Sequence, residues 1–198
     1  RSWSVAFVEV SDMRHILFLL LVTAAASSWA APAPVQCERG IEFDGRYDAD
    51  LGPLEARNAA LLKHFGFNVY SAALYLEVDR EPSSVLDAVP KALEIRYHRT
   101  ISAKQIINAA EKVIERMPAS QVAAVRERLD AMYAAFVDVE EGDRYRLIYT
   151  PGIGSSLELN GEEQVVIPGE DFQRVFFGIW LSDVALSPKL RDRLLGLR

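Results

Sequence analysis

Cysteine and histidine are scarce in this chain, which has one cysteine and three histidines among 198 residues. A single thiol cannot form a disulfide within the chain, so the fold must depend on its hydrophobic core. His64 and His98 lie far apart, without a neighbouring cysteine or paired carboxylates. Because this spacing does not fit a metal site, we expect no bound metal.

Motifs for nucleophilic catalysis and phosphate binding are also missing. The sequence contains no G-x-S-x-G nucleophile elbow. Its glycine-rich stretch, residues 151–156, leads into a strand pattern rather than a helix, so it lacks the helix N-terminus that binds anions. We therefore predict a turn at this stretch and no cofactor.

Positive charge is in the minority, since the formal net charge is −6 and no Lys/Arg cluster stands out. This balance argues against nucleic acid as a partner, because binding phosphates requires a basic surface. It also disfavours docking to anionic lipid surfaces. The length and the 50% hydrophobic content are those of one globular domain with a sizeable core.

Long apolar runs are confined to the N-terminus and are too short to span a bilayer, which takes about 20 residues. Met13 begins a segment with a basic pair, an apolar run to about Ala26 and small residues before Ala31, the pattern of a signal peptide. We predict that residues 1–12 lie upstream of the true start, that 13–30 are the signal peptide, and that 31–198 form the mature domain. The protein is then exported to the periplasm or secreted. A retained N-terminal membrane anchor is the alternative.

The single cysteine, Cys37, follows closely on this segment. A lipoprotein site needs small residues directly before the cysteine, and residues 34–36 do not supply them. We expect Cys37 to lie near a flexible terminus.

The stretch Gly142–Asp183 carries the clearest structural signals. An alternating run from Arg144 predicts a half-buried strand, and Asn160-Gly161 between two further alternating runs predicts a hairpin. From Asp171 the apolar spacing changes to that of an amphipathic helix. Its apolar stripe comprises Phe172, Val175, Phe176, Ile179 and Trp180.

The preceding residues complete the predicted fold. Strands are expected over 54–62, 65–77 and 91–99, the second of them central with both faces covered. Ser102 and Gln105 form a capping-box pattern that begins one helix, and Pro118 separates it from a second. The fold class is α+β: a largely antiparallel sheet with helices packed on one face.

Two residues are candidates for binding. Arg57 lies in an otherwise apolar strand and Tyr70 on the next one, so pairing of these strands can bring a guanidinium and a phenol together under the helices. A buried guanidinium is costly unless an anion meets it, and the pair would suit a carboxylate head group. The alternative is structural: Arg57 reaches the sheet edge or pairs with an internal acid while Tyr70 packs in the core.

The order of these segments resembles chalcone isomerase-like proteins. The resemblance rests on residues 68–77 (NVYSAALYLE), residues 99–113 (RTISAKQIINAAEKV) and the FFGIWLSD–LSPKLRDRLLG sequence, and it covers most of the chain after about Gly52. The family includes true isomerases and non-catalytic proteins that bind fatty acids. In the fatty-acid binders an Arg and a Tyr thirteen positions apart hold the carboxylate, and the resemblance assigns these roles to Arg57 and Tyr70.

The resemblance also implies that the isomerase machinery is missing. At the positions that align with the polar groups of the true isomerases, this chain has Ile106, Val113 and Gln173. We therefore expect an exported, non-enzymatic carrier of a fatty acid or similar amphipathic carboxylate, with Phe172, Phe176 and Trp180 as possible pocket walls. An intramolecular lyase or isomerase acting on an unsaturated substrate is the alternative, and a structural domain without a small ligand is a third. The sequence identifies no protein partner.

Overall fold

The computed structural model of the chain describes residues 32–197. The predicted start and signal peptide lie outside these residues. A small hairpin comes first, formed by β1 (Val35–Cys37) and β2 (Ile41–Phe43). Seven further strands form one sheet: β3 (Arg46–Ala49), β4 (Gly52–His64), β5 (Phe67–Leu76), β6 (Lys91–Tyr97), β7 (Arg144–Thr150), β8 (Gly154–Leu159) and β9 (Glu162–Ile167).

The seven strands lie side by side in the order of the chain, and every neighbouring pair is antiparallel. The predicted antiparallel sheet is therefore confirmed. The strand expected at its centre, β5, is third in order, and β6 takes the middle place. The sequence could not give this position because it does not show how many strands stand on either side.

Among the two-residue turns that join neighbouring strands, two have the same backbone form. Asn160-Gly161 joins β8 to β9, with φ angles of 53° and 88°. Phe65-Gly66 joins β4 to β5, with φ angles of 48° and 81°. Both central residues of each turn therefore have positive φ, as a type I′ hairpin turn requires. The hairpin predicted at Asn160-Gly161 is confirmed, and the glycine-rich residues 151–153 form the turn before β8.

Residues 32–197 contain four α-helices. They are α1 (Ala103–Ile114), α2 (Ala119–Tyr133), α3 (Glu170–Leu181) and α4 (Pro188–Leu194). Ser102 accepts from the Gln105 amide while the Gln105 side chain accepts from the Ser102 amide, so the predicted capping box begins α1. None of the helices within residues 32–197 is long and apolar enough to cross a bilayer.

The main core lies between one face of the sheet and the helices. From β5 it takes Tyr70, Ala72, Leu74 and Leu76, which point to the helices as alternation predicts. The middle helix in this layer, α3, is buried along nearly its whole length. The expected arrangement of helices on one face of the sheet is confirmed.

The opposite face of the sheet is covered by the β1–β2 hairpin. Phe43 and Cys37 pack there with Leu54, Tyr75 and Ile148. Cys37 is 9% exposed, with its sulfur 3.3 Å from the Ser71 hydroxyl. The prediction that Cys37 lies near a flexible terminus is therefore wrong. Strands β1 and β2 have only three residues each, so the sequence pattern does not reveal that they cover this face of the sheet.

Candidate functional site

The candidate site is a half-enclosed cavity of about 670 Å³ between the helix-facing side of the sheet and the helices. This volume is within the range of small-molecule sites. The sheet supplies Tyr70, Ile95 and Tyr97, and the helical layer supplies mainly apolar side chains: Ile106, Ile107 and Ala110 from α1, and Phe176, Ile179 and Trp180 from α3. The arrangement can hold an apolar chain out of water.

Aromatic contacts make the wall of the cavity stiff. Tyr70 and Tyr97, partners across β5 and β6, meet edge to face with ring centroids 5.9 Å apart. Phe176 and Trp180 lie one helical turn apart on α3 and meet similarly at 5.9 Å. Such pairs contribute beyond the area they bury. A ligand would therefore meet a largely preformed wall.

Three buried polar atoms of this wall lack a hydrogen-bond partner among residues 32–197: the Tyr70 and Tyr133 hydroxyls and the Trp180 indole nitrogen. The Tyr70 hydroxyl and the Trp180 nitrogen are neighbours, but no aligned hydrogen bond joins them. Burial raises the pKa of Tyr70 well above its ordinary value, with the nearby Trp180 acting against that rise. The phenol therefore keeps its proton, and both groups can donate to an oxygen of a ligand.

Tyr133, at the end of α2, lines the cavity in a different environment. Its hydroxyl lies beside the Glu111 carboxylate, which Arg126 holds at 2.9 Å. Burial, together with Glu111, raises the pKa of Tyr133. No aligned hydrogen bond joins this hydroxyl to Glu111. Because an internal acceptor lies beside it, the hydroxyl is still a weaker candidate for a ligand contact than Tyr70.

The charged residues that line the cavity are all basic. Lys63, Arg99 and Lys112 are among the lining residues, together with His64, and no aspartate or glutamate is. All four are exposed. Lys63 is paired with Glu38 at 2.9 Å, whereas Arg99 and Lys112 make no salt bridge within the described part of the chain. The local potential therefore favours an anion, although the whole chain is acidic.

Arg57 and Tyr70 do not come together, so that prediction is wrong. Tyr70 pairs with Leu62, near the turn that joins β4 and β5, whereas Arg57 lies five residues before Leu62 at a β-bulge. The five residues correspond to roughly 16 Å along a strand. Strand pairing was predicted correctly, but the tight turn at Phe65-Gly66 fixes a register that separates the two side chains.

Arg57 is also absent from the residues that line the cavity. One of its terminal nitrogens donates to the main-chain carbonyls of Glu77, Val78 and Arg80. These carbonyls, and not a carboxylate, meet the guanidinium. Arg57 thus holds the chain that leaves β5, which is a structural role.

Of the three aromatic residues predicted as possible pocket walls, the structure places Phe176 and Trp180 at the cavity and Phe172 outside it. Phe172 is fully buried and stacks on Phe176 with ring centroids 5.4 Å apart. The 3.6-residue pattern identified the buried side of α3, but it could not separate residues that face an opening from those that face the core.

The three positions aligned with isomerase polar groups provide no acid or base at this site. Ile106 lines the cavity. Val113 is a core residue, and Gln173 is fully buried and donates to the Leu86 carbonyl at 3.1 Å. The sequence had not singled out Tyr97, Arg99 or Lys112, although the alternation of Leu93, Ile95 and Tyr97 already indicated the inward side of β6.

Comparison with known proteins identifies the family. The model of the chalcone isomerase-like family matches residues 37–196. The chain belongs to the chalcone isomerase-like family. Among solved structures, a fatty-acid-binding protein of Arabidopsis thaliana is similar, with a TM-score of 0.63 at 11% identity over 82% of this chain and 96% of that one. At this identity the likeness shows the fold. No curated protein sequence matches the chain.

Proposed function

We propose that this chalcone isomerase-like protein is exported and carries a fatty acid or similar amphipathic carboxylate without catalysing a reaction on it. The observation that carries the proposal is the apolar cavity whose wall contains the neighbouring unpaired donors Tyr70 and Trp180. The fatty-acid-binding protein of the same fold supports this choice of ligand. Arg57 lies outside this site.

The head group fits near Tyr70. A buried donor without a partner costs about 1–3 kcal/mol, and a carboxylate oxygen would remove that cost for both Tyr70 and Trp180. Tyr70 pairs with Leu62, so it lies at the same end of the sheet as the basic residues Lys63 and His64. The apolar chain would then lie against Ile106 and Phe176.

The absence of catalysis is supported by the residues of the cavity wall. The tyrosines there have pKa values raised by burial, so they do not act as bases near neutral pH. Ile106 stands where the isomerases have a polar group. A carrier needs an apolar site and a way in, and the half-enclosed cavity is suited to both.

The test compares two tyrosines of the same strand. Tyr70→Phe removes a hydroxyl in the cavity wall, whereas Tyr75→Phe removes a buried, unpaired hydroxyl on the opposite face of the sheet. In titrations with a fluorescent fatty acid we expect Tyr70→Phe to weaken binding about tenfold or more, the usual effect of losing a hydrogen bond to a charged group. Tyr75→Phe should bind like the wild type.

Two results would contradict the proposal. One is that no fatty acid binds and that solvent extraction of the purified protein recovers no lipid. The other is an equal effect of the two tyrosine substitutions, which would place the ligand outside this cavity. Export is tested separately: N-terminal sequencing of protein recovered outside the cytoplasm should begin near Ala31.

A further inference from the structure

The most exposed large apolar side chains in residues 32–197 lie together at the turn between β4 and β5. Phe65 is 87% exposed and Phe67 is 67% exposed. We call His64–Phe67 the hairpin tip. The ring of His64 packs against Phe65 with centroids 4.2 Å apart. His64 also lines the cavity, so the hairpin tip borders the cavity itself.

The turn at the hairpin tip carries an unfavourable residue. Phe65 has a φ of 48°, in the left-handed region that a bulky side chain rarely adopts. The turn between β8 and β9 has the same backbone form, with φ of 53° and 88°, and uses the favoured Asn-Gly pair. Phe65 therefore disfavours its own turn and buries almost nothing in return. A contact outside the chain would explain such a residue.

Charge around the hairpin tip indicates what that contact is. The charged residues that line the adjoining cavity are basic: Lys63, which pairs with Glu38, and Arg99 and Lys112, which make no salt bridge among the described residues. At physiological ionic strength, exposed charges more than about 8–10 Å away are largely screened. The basic residues at the cavity therefore influence binding at the hairpin tip more than the net charge of −6 does. Aromatic side chains next to basic ones are the combination that binds an anionic bilayer surface.

We propose that the hairpin tip inserts Phe65 and Phe67 into the surface of an anionic phospholipid bilayer. The basic residues beside it then face the lipid head groups, and the open side of the cavity faces the membrane. Interpreting this contact as the route by which the ligand enters and leaves rests on the proposed carrier function. The membrane contact itself rests on the hairpin tip.

The experiment is co-sedimentation of the exported chain, which begins near Ala31, with phosphatidylcholine vesicles prepared with or without phosphatidylglycerol. Phe65→Asn creates the favoured Asn-Gly turn, so the variant should fold at least as well as the wild type. Ile153→Asn is the matched control, because Ile153 is 53% exposed in another turn. We expect Phe65→Asn to weaken binding to the anionic vesicles about tenfold or more, and Ile153→Asn to leave it unchanged.

Anionic lipid should increase binding of the wild type, and added salt should reduce it. The proposal is overturned if the wild type does not sediment with anionic vesicles, or if Phe65→Asn sediments equally well. It is also overturned if Phe65→Asn abolishes only self-association in size-exclusion chromatography, since the hairpin tip then contacts a second copy. Fatty-acid titration without vesicles separates the two proposals. Phe65→Asn should bind fatty acid as well as the wild type does. If the wild type binds vesicles but no fatty acid, only the carrier function is contradicted.

Discussion

At the scale of single residues, Arg57 shows how a plausible spacing can mislead. An arginine in an apolar strand pattern looks like an anion site, yet here one nitrogen of its guanidinium donates hydrogen bonds to the carbonyls of Glu77, Val78 and Arg80. The extra residue of a bulge changes both the register and the direction of a side chain. Alternation identifies the inward face of β5, and hence Tyr70, but it carries no signal for a bulge in β4.

The first prediction concerns Arg57. Arg57→Ala leaves three carbonyls without their donor, so we expect the free energy of unfolding to fall by about 1–3 kcal/mol. Fatty-acid affinity should not change, because Arg57 does not line the cavity. Urea unfolding and ligand titration measure the two effects. A loss of affinity with unchanged stability would return Arg57 to the binding site.

The second prediction concerns Lys91, which is fully buried and donates to the carbonyls of Asp87 and Val89. Burial lowers the pKa of Lys91 to about 7, below its value in the unfolded chain. Between pH 7 and about 10.5 the unfolded chain therefore binds more protons, and stability rises with pH. From this group we expect a gain of about 2 kcal/mol between pH 7 and pH 9.

Unfolding by urea at a series of pH values measures this slope for Lys91. In Lys91→Met the rise should disappear, whereas Lys189→Met changes an exposed ammonium and should retain it. Equal slopes in the wild type and Lys91→Met would show that the ammonium is not desolvated in the folded protein.

At the scale of secondary-structure elements, the predictions that depend on local patterns were correct, whereas the packing of the short strands β1 and β2 was not predicted. The Asn160-Gly161 turn, the Ser102 capping box and the stripe of α3 each depend on a few adjacent residues, and all are found as predicted. Strands β1 and β2 have three residues each, too few for a period to show. Their role comes from a distant contact with β4 and β5, which no local pattern encodes.

The third prediction tests that hairpin. Phe43, in β2, is 1% exposed and packs on the face of the sheet opposite the helices. Phe43→Ala should therefore lower the free energy of unfolding by about 3–5 kcal/mol. Phe67→Ala removes the same ring from an exposed position and should stay within about 0.5 kcal/mol. Chemical denaturation compares the two. Ligand affinity of folded Phe43→Ala should be normal, because the cavity lies on the other face.

A small effect of Phe43→Ala would mean that β1 and β2 add little to the fold. Because the family match begins at residue 37, in β1, we expect the opposite.

At the scale of the whole molecule, binding and stability are linked. A ligand that binds only the folded chain stabilises it by about 2.7 kcal/mol when present at 100 times its dissociation constant. For a protein of this size, each kcal/mol raises the melting temperature by about 2–4 °C. Fatty acid at that concentration should therefore raise the melting temperature by roughly 5–10 °C if the cavity is the site.

The same tyrosine pair makes this fourth prediction specific. At the same ligand concentration, a tenfold weaker Tyr70→Phe should keep about half of the gain, and Tyr75→Phe should keep all of it. Phe65→Asn should also keep it, because the hairpin tip acts on the membrane and not on the bound ligand. Scanning calorimetry with and without ligand measures all three. An equal gain in Tyr70→Phe and wild type would mean that the ligand stabilises the fold from somewhere other than the wall where Tyr70 and Trp180 lie.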